Sequence, residues 1–212
     1  MTTTNKVMYG VDLSHWNSWS NSLLARTIGG VEFAMLKIGG SDKRNYYIDK
    51  KFLEHYHTAK MRGIKVGVYF FAGAAFRGTL EGQRCARYVL EQLKKFNIEL
   101  DMPIAIDVER GSSKYRNQQT LATVAFCEEI EKAKHYAVIY GADVATFKTL
   151  LNMSALEKYD KWVARYGKKP EYVKKYGMWQ WTSKGKVKGF SGNIDCNIAF
   201  KNYPEIIKNL RK

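Results

Sequence analysis

Residues Met102–Glu109, with the sequence MPIAIDVE, form an apolar run that ends in two carboxylates. A short apolar run of this kind predicts a buried strand. Because strand side chains alternate between faces, Asp107 and Glu109 should point the same way, roughly 6.5–7 Å apart at Cα. Two carboxylates this close do not both ionise readily, so one keeps its proton near neutral pH. Glycosidic bond cleavage needs that asymmetry, whereas helix capping or pairing with Arg110 is the structural alternative.

Apolar runs recur along the chain and alternate with segments of helical periodicity. Strands are predicted at Met8–Leu13, Phe33–Ile38, Lys65–Phe71, Pro103–Val108 and Tyr136–Tyr140. Helices are predicted at Leu23–Ile28, Asp49–Arg62, Thr79–Phe96, Gln118–Lys134 and Ala142–Leu151. This alternation predicts parallel strands that are joined by right-handed crossovers.

The alternation of predicted strands and helices ends in the last third of the chain. Further strands are predicted at Lys161–Ala164, Gly177–Trp181 and Asn193–Ile198, and a short helix at Tyr203–Lys212. The gaps are short for helical crossovers but suit loops or antiparallel returns. Eight strands close a small barrel, so we predict an α/β fold: an incomplete TIM-like barrel of five β/α units and three strands with little helix. An open doubly wound sheet is the alternative, but no glycine-rich phosphate loop follows the first strand.

Composition indicates one domain and a reducing compartment. The 212 residues fit a single domain, and no apolar run is long enough to span a membrane. The amino terminus has no apolar segment of the signal-peptide type. Cys85, Cys127 and Cys196 are too few and too widely spaced for a disulfide framework, so we expect buried thiols.

The charge balance predicts an anionic partner. Thirty-five Lys and Arg residues against twenty Asp and Glu residues leave a net charge of +15. A nucleic acid, a Gram-positive wall with teichoic acids, and a merely soluble lysine-rich surface are the three explanations. The chain has no zinc-finger spacing and no RNA-binding sheet signature, so we expect no nucleic-acid partner.

Four acids are predicted to converge in the closed barrel. Active sites of parallel barrels lie at the carboxyl ends of the strands. Asp12 lies at the end of the first predicted strand, Asp107 at the end of the fourth, and Glu109 directly after the fourth. Closure places the last strand beside the first, which would bring Asp195 next to Asp12.

Aromatic residues fall at the same strand ends. Aromatic rings stack on the C–H faces of sugars, and the polar tips of Tyr and Trp donate hydrogen bonds. We expect Phe70 and Trp162 to belong to the core. The predicted substrate-binding residues are Tyr69, Tyr140, Tyr166 and Trp179.

Other chemistries have no support in the sequence. The four histidines lack metal-ligand spacing, and there is no H-E-x-x-H motif. There is also no G-x-S-x-G elbow and no Walker loop. We therefore expect no metal and no cofactor.

Six stretches occur in the order in which one known family carries them. The chain resembles glycoside hydrolase family 25, the Chalaropsis-type lysozymes that are common among bacteriophage endolysins and bacterial autolysins. The resemblance runs from about residue 9 to residue 198. The matching stretches are Gly10–Asn17, Gly67–Phe71, Asp107–Glu109, Trp162–Tyr166, Trp179–Ser183 and Gly189–Asn197.

The resemblance implies an N-acetylmuramidase on a barrel of five β/α units and three further strands. Its substrate would be the β-1,4 bond from N-acetylmuramic acid to N-acetylglucosamine in peptidoglycan, cleaved with retention. Glu109 would be the general acid/base and Asp107 its partner, with Asp12 and Asp195 completing the acidic cluster. Asp107 would either attack the anomeric carbon or, as is usual for the family, steady an oxazolinium ion formed by the substrate acetamide. A catalytically inactive glycan-binding module on the same fold is the alternative.

The resemblance also leads to expectations about the domain organisation and about where the protein acts. We expect one catalytic domain over residues 1–212 without a separate wall-binding domain. The +15 charge could replace such a module by attraction to anionic wall polymers. Without a signal peptide, the protein would be made in the cytoplasm and would reach the wall after holin-dependent release.

Overall fold

The computed structural model describes residues 7–20, 30–42 and 45–211. Its strands are β1 (Met8–Leu13), β2 (Ser18–Trp19), β3 (Phe33–Asp42), β4 (Asn45–Ile48), β5 (Lys65–Phe71), β6 (Ile104–Asp107), β7 (Ala137–Ala142), β8 (Asp160–Ala164), β9 (Met178–Gly185), β10 (Phe190–Ser191) and β11 (Ile194–Ala199). Its α-helices are α1 (Phe52–Met61), α2 (Thr79–Lys95), α3 (Arg116–Lys132) and α4 (Tyr203–Leu210). The helix predicted at Leu23–Ile28 lies outside the described residues.

Eight of the described strands close into the predicted barrel. Their order around it is β1, β3, β5, β6, β7, β8, β9 and β11, and β11 returns to β1. Every neighbouring pair from β1 through β3 to β9 is parallel, whereas β11 is antiparallel to both β9 and β1. Three short strands were not predicted: β4 pairs with the end of β3, and β2 pairs with β10 in a small ribbon.

The helix predicted at Ala142–Leu151 is wrong as a regular α-helix. Strand β7 continues to Ala142, and a single π-helical segment follows at Ala145–Leu150. The Thr146 hydroxyl donates to the Val108 carbonyl at 2.8 Å and accepts from the Ala142 N–H at 3.1 Å. These contacts hold the segment against the barrel, so tertiary bonding overrides the regular helical pattern.

Strand alternation divides the apolar residues into two cores. The barrel interior contains Phe33, Met35, Ala105, Val138 and Met178, all buried. The second core lies between the barrel and the helices, and it contains the residues that alternate with the first set, such as Ala34, Leu36, Ile106, Ile139 and Val163. A side chain's place in this alternation therefore decides whether it faces the interior of the barrel or the helices.

Helix α4 closes the amino-terminal end of the barrel. Its Tyr203 and Ile207 belong to the interior core together with Met8 and Ala199, which lie at the ends of β1 and β11. The opposite end, where the parallel strands finish, stays open. Within the described ranges, no helix combines the length and the apolar character of a membrane span.

Candidate active site

Four acidic side chains face the interior at the open end of the barrel. Asp12 lies between Val11 and Leu13, both of which face the helices, so its carboxylate points inward. Asp107 and Asp195 are placed inward by the same alternation in β6 and at the start of β11. Asp12 and Asp195 are register partners across β1 and β11. This adjacency was predicted from closure of the barrel alone.

These acids line one cleft of about 190 Å³. Glu109 follows β6 by two residues and lines the cleft on the same side as Asp107. The other lining residues are Asp12, Tyr69, Tyr140, Trp162, Tyr166, Gln180 and Asp195. The structure therefore brings together seven of the eight residues that the sequence proposed for the site.

Trp179 is the eighth proposed residue, and the structure places it elsewhere. Met178 and Gln180 of β9 face the barrel interior and the cleft, so Trp179 between them faces outward. Its indole N–H donates to the Arg165 carbonyl at 2.7 Å. Trp179 therefore fixes the segment after β8 and does not line the cleft. The sequence assigned the wrong alternate set of β9 to the site.

Two amides that the sequence did not propose hold Asp12 in place. Gln180 Nε2 and Asn197 Nδ2 each donate to Asp12 Oδ2 at 2.8 Å. Asn197 lies two residues after Asp195, so strand alternation alone could have found it. Gln180 could have been found only if the inward-facing residues of β9 had been assigned correctly.

The same amides connect Asp12 to the aromatic wall. The Tyr140 and Tyr166 hydroxyls donate to Gln180 Oε1 at 2.9 and 3.2 Å. The indole of Trp162 donates to Asn197 Oδ1 at 2.8 Å, and its ring packs on that of Tyr140 with centroids 4.4 Å apart. Trp162 is fully buried, as expected of a core residue, yet it also borders the cleft. Phe70 is buried on the helix side of β5, away from the cleft.

Burial and mutual repulsion favour protonation of the acids around Asp12. Desolvation, followed by the negative charge of Asp195, raises the pKa of Asp12 to about 8, although the two amides oppose the shift. Desolvation and the charge of Glu109 raise the pKa of Asp195 to about 6. A carboxyl group with a pKa above its usual value keeps its proton at a higher pH.

Asp107 and Glu109 form a close pair with different exposures. Asp107 is only 4% exposed at the cleft floor, whereas Glu109 is exposed at the mouth. Desolvation and the charge of Glu109 raise the pKa of Asp107, and desolvation raises the pKa of Glu109. The Lys37 ammonium lowers both pKa values.

One oxygen of this pair is free for substrate. Asp107 Oδ1 is buried and has no hydrogen-bond partner among the described residues. A buried carboxylate oxygen without a partner is costly and calls for a ligand or a functional role. In a cleft lined by a second acid and by tyrosines, a donor group of a bound sugar could satisfy this oxygen.

Comparison with known proteins identifies the family. The sequence profile described as glycosyl hydrolases family 25 matches residues 11–190. The chain belongs to this family. The family assignment that the sequence suggested is therefore confirmed, and the chain is a glycoside hydrolase.

Relatives of this family 25 enzyme include lysozymes and endolysins. The autolytic lysozyme of Clostridium acetobutylicum is 28% identical over 158 residues, which cover 71% of this chain and 44% of that protein. The CTP1L endolysin structure has a TM-score of 0.75 at 26% identity and covers 95% of this chain and 70% of its own. A family 25 glycosyl hydrolase from Bacillus anthracis has a TM-score of 0.71 at 22% identity, covering 95% and 92%.

The predicted α/β barrel is confirmed by these folds, and the family and its lysozyme members support peptidoglycan hydrolysis. The residues of the cleft suit acid/base and electrostatic chemistry on a sugar. In the described part of the chain, no group of three or more His, Cys, Asp or Glu side chains is arranged to hold a metal ion. The three cysteines are free, buried thiols and do not line the cleft.

Proposed function

We propose that this family 25 hydrolase is an N-acetylmuramidase that cleaves the β-1,4 bond from N-acetylmuramic acid to N-acetylglucosamine in peptidoglycan. The observation that carries the proposal is the pairing of Asp107, buried with an unpartnered oxygen, with Glu109 at the cleft mouth. One acid is placed to bond a substrate group inside the cleft. The other reaches the leaving oxygen and, later, an incoming water.

Glu109 acts first as general acid and then as general base. Burial raises its pKa, which favours the protonated form that donates to the leaving glycosidic oxygen. Bond cleavage leaves positive charge at the anomeric carbon, which the carbonyl oxygen of the substrate acetamide attacks to form an oxazolinium ion. Water then attacks the same carbon while Glu109 takes its proton, so configuration is retained overall.

Asp107 steadies the intermediate in this mechanism. Its free oxygen accepts the acetamide N–H, and its ionised form, which the Lys37 ammonium favours against the effect of burial, offsets the positive charge of the oxazolinium ring. Direct attack by Asp107 on the anomeric carbon is the competing route, and it would leave a covalent glycosyl-enzyme. Both routes retain configuration, so only the intermediate distinguishes them.

The remaining cleft residues position the sugar and tune the acids. Tyr69, Tyr140 and Tyr166 form the aromatic wall, and Tyr166 is 54% exposed and thus open to a sugar face. The ionisations of the three acids are linked, because the negative charge of Glu109 raises the pKa of both Asp12 and Asp195. We assign both acids to substrate positioning and to tuning Glu109.

Analysis of digestion products tests the assignment. Purified peptidoglycan is digested, the products are reduced with borohydride, and the terminal sugars are identified by mass spectrometry. A muramidase yields reduced N-acetylmuramic acid at every new end. Reduced N-acetylglucosamine would show that the enzyme cuts the other glycosidic bond, and no released muropeptides would favour an inactive glycan-binding module.

We also propose that anionic wall polymers are a second partner of the enzyme. The net charge of +15 creates a field that attracts polyanions over a Debye length of about 8–10 Å. Salt should therefore weaken activity on intact walls and hardly affect cleavage of a short soluble glycan. If salt affects activity equally on intact walls and on walls stripped of teichoic acid, the positive charge does not bind wall polymers and serves only solubility.

A further inference from the structure

A second cavity lies at the end of the barrel opposite the cleft. It has a volume of about 570 Å³ and is lined by residues that precede β7, β8 and β9, by the first two residues of β8, and by residues that follow β11. The cleft instead lies near the end of β8 and the start of β11. Six lysines and only two carboxylates line the second cavity, which we call the lysine pocket.

Three of these lysines already bond to other groups of the protein through their ammonium groups. Lys161 is buried, and its ammonium donates to the carbonyls of Leu156 at 2.7 Å and Glu157 at 3.3 Å. Lys201 pairs with the buried carboxylate of Asp160 at 2.9 Å. Lys158 pairs with Glu128 outside the pocket at 3.6 Å. These contacts build the pocket wall and leave little charge for a ligand.

The other three lysines are available. Lys169, Lys174 and Lys175 are exposed, and none has a hydrogen bond or an ion pair with another described residue. They therefore carry unneutralised charge around one opening. Lysine ammonium groups bind phosphate groups well, because each is a compact point charge with rotatable donors.

The segment that carries these lysines is anchored. The crossover from β8 to β9 has no helix, yet Asp143 accepts the backbone N–H groups of Glu171, Tyr172 and Val173 at 2.8, 3.1 and 2.9 Å. Arg165 also donates to Asp143 at 2.9 Å. Anchoring reduces the entropy lost on binding, so the charges are presented on a preorganised backbone.

The rings of the pocket are already engaged in the fold. Tyr159 is 2% exposed, and the Tyr176 ring packs edge-on against Phe200 with centroids 5.7 Å apart. The Tyr136 hydroxyl points to Asp160 at 3.5 Å. Proteins that bind single-stranded nucleic acid stack bases on open aromatic faces, whereas each ring of this pocket is either buried or packed against another ring of the fold. A wide opening with exposed lysines suits a repeating polyanion without bases.

We propose that the lysine pocket binds a segment of a base-free phosphodiester polymer, the chemistry of wall teichoic acid. The proposal rests on the proposed function, because the enzyme must meet such a polymer at the wall. Since the pocket and the cleft occupy opposite ends of the barrel, the polymer can stay bound while the cleft cleaves glycan. The site would hold the enzyme at its substrate between successive cuts.

Two triple variants with equal charge change test the proposal. K169Q/K174Q/K175Q removes the free charges of the pocket, and K50Q/K94Q/K148Q removes three exposed lysines elsewhere. Titration calorimetry with purified poly(glycerol phosphate) at fixed salt measures the affinity, and melting curves check folding. The pocket variant should bind on the order of 100-fold more weakly, since each lysine near an anionic surface contributes roughly fivefold. The control should lose much less.

Two results would overturn the proposal. Equal losses in both variants would mean that binding follows net charge and has no defined site. Binding of a single-stranded oligonucleotide of the same phosphate count, with equal affinity and the same dependence on the three lysines, would assign the pocket to nucleic acid instead. Release of reducing ends from a short soluble glycan is measured in parallel and should be unchanged in both variants. Failure of that cleavage in the unmodified enzyme would refute the muramidase assignment without touching the polymer result.

Discussion

Asp12 and Asp195 lie opposite each other in register across antiparallel strands β1 and β11, although they come from opposite ends of the chain. Closure of the barrel forces two carboxylates together in a buried space. Asp12 avoids the cost of ionisation by holding its proton, with its pKa raised to about 8, and two amides satisfy its oxygen. The closing seam of the barrel is thus also part of the acidic cluster.

Glu109→Gln should lower kcat by about 10²–10⁴-fold, because an amide cannot protonate the leaving oxygen. Turnover is measured as release of reducing ends from purified peptidoglycan. The matched control is Glu91→Gln on the exposed face of α2, which should keep wild-type turnover. More than about a tenth of the wild-type rate in Glu109→Gln, with an intact fold, would assign the acid to another residue.

Asp107→Asn should also lower kcat strongly, since an amide does not offset the charge of an oxazolinium ion. Asp42→Asn at the exposed end of β3 is the control. Intact-mass analysis of the wild-type enzyme during turnover should show no covalent sugar. A glycosyl adduct mapped to Asp107 would replace acetamide participation by direct attack.

Asp12→Asn should make stability less dependent on pH. The pKa of Asp12 is raised in the folded state, so the folded protein binds more protons than the unfolded chain between about pH 4 and pH 8. Its contribution to the free energy of unfolding is therefore lost as pH rises through that window. The side-chain oxygen of the substituted asparagine can still accept both amide donors, and the variant should gain in melting temperature relative to wild type as pH rises.

Melting curves at several pH values measure this effect, with about 2–4 °C expected for each 1 kcal/mol. Asp42→Asn serves again as the control, because its side chain is exposed. Parallel pH profiles for wild type and Asp12→Asn would show that Asp12 ionises normally in the folded protein.

Lys37→Met should shift the pH–rate profile of kcat/KM to higher pH. Lys37 is half-buried in β3, beside Tyr69 in the register, with its ammonium 4.6 Å from the ring centre of Phe71. Its charge lowers the pKa of both Asp107 and Glu109, so removing it raises both. Lys37→Arg keeps the charge and should keep the profile. Superimposable profiles of wild type and Lys37→Met would show that Lys37 does not influence the pKa values of Asp107 and Glu109.

Local sequence patterns predicted most of the barrel and most of its cleft. Asp107 and Glu109 follow from strand alternation, which depends only on backbone geometry. The pairing of Asp12 with Asp195 follows from the strand count, because eight strands close and bring the first beside the last. The long helices α2 and α3 were located within two residues of their true ends.

The error at Trp179 has a physical origin. In the first half of β9 the buried face carries Met178 and the polar Gln180, whereas the two tryptophans lie on the less buried face, so hydrophobicity does not mark the inward residues. Met178 and Gln180 on one set, and Trp179 and Trp181 on the other, were equally plausible as the inward set. Only packing against the neighbouring strands selects between them, and it selects Gln180.

The sequence by itself determined the order of the eight barrel strands and of helices α1 to α4, the positions of the acids at strand ends, and the excess of positive charge. These properties are local or compositional. The tertiary structure alone decided which face of β9 enters the cleft, and it brought Gln180 and Asn197 onto Asp12. It also gathered lysines from three connecting segments into one pocket at the far end of the barrel. Long-range neighbours of this kind depend on strand pairing and packing, which local patterns do not encode.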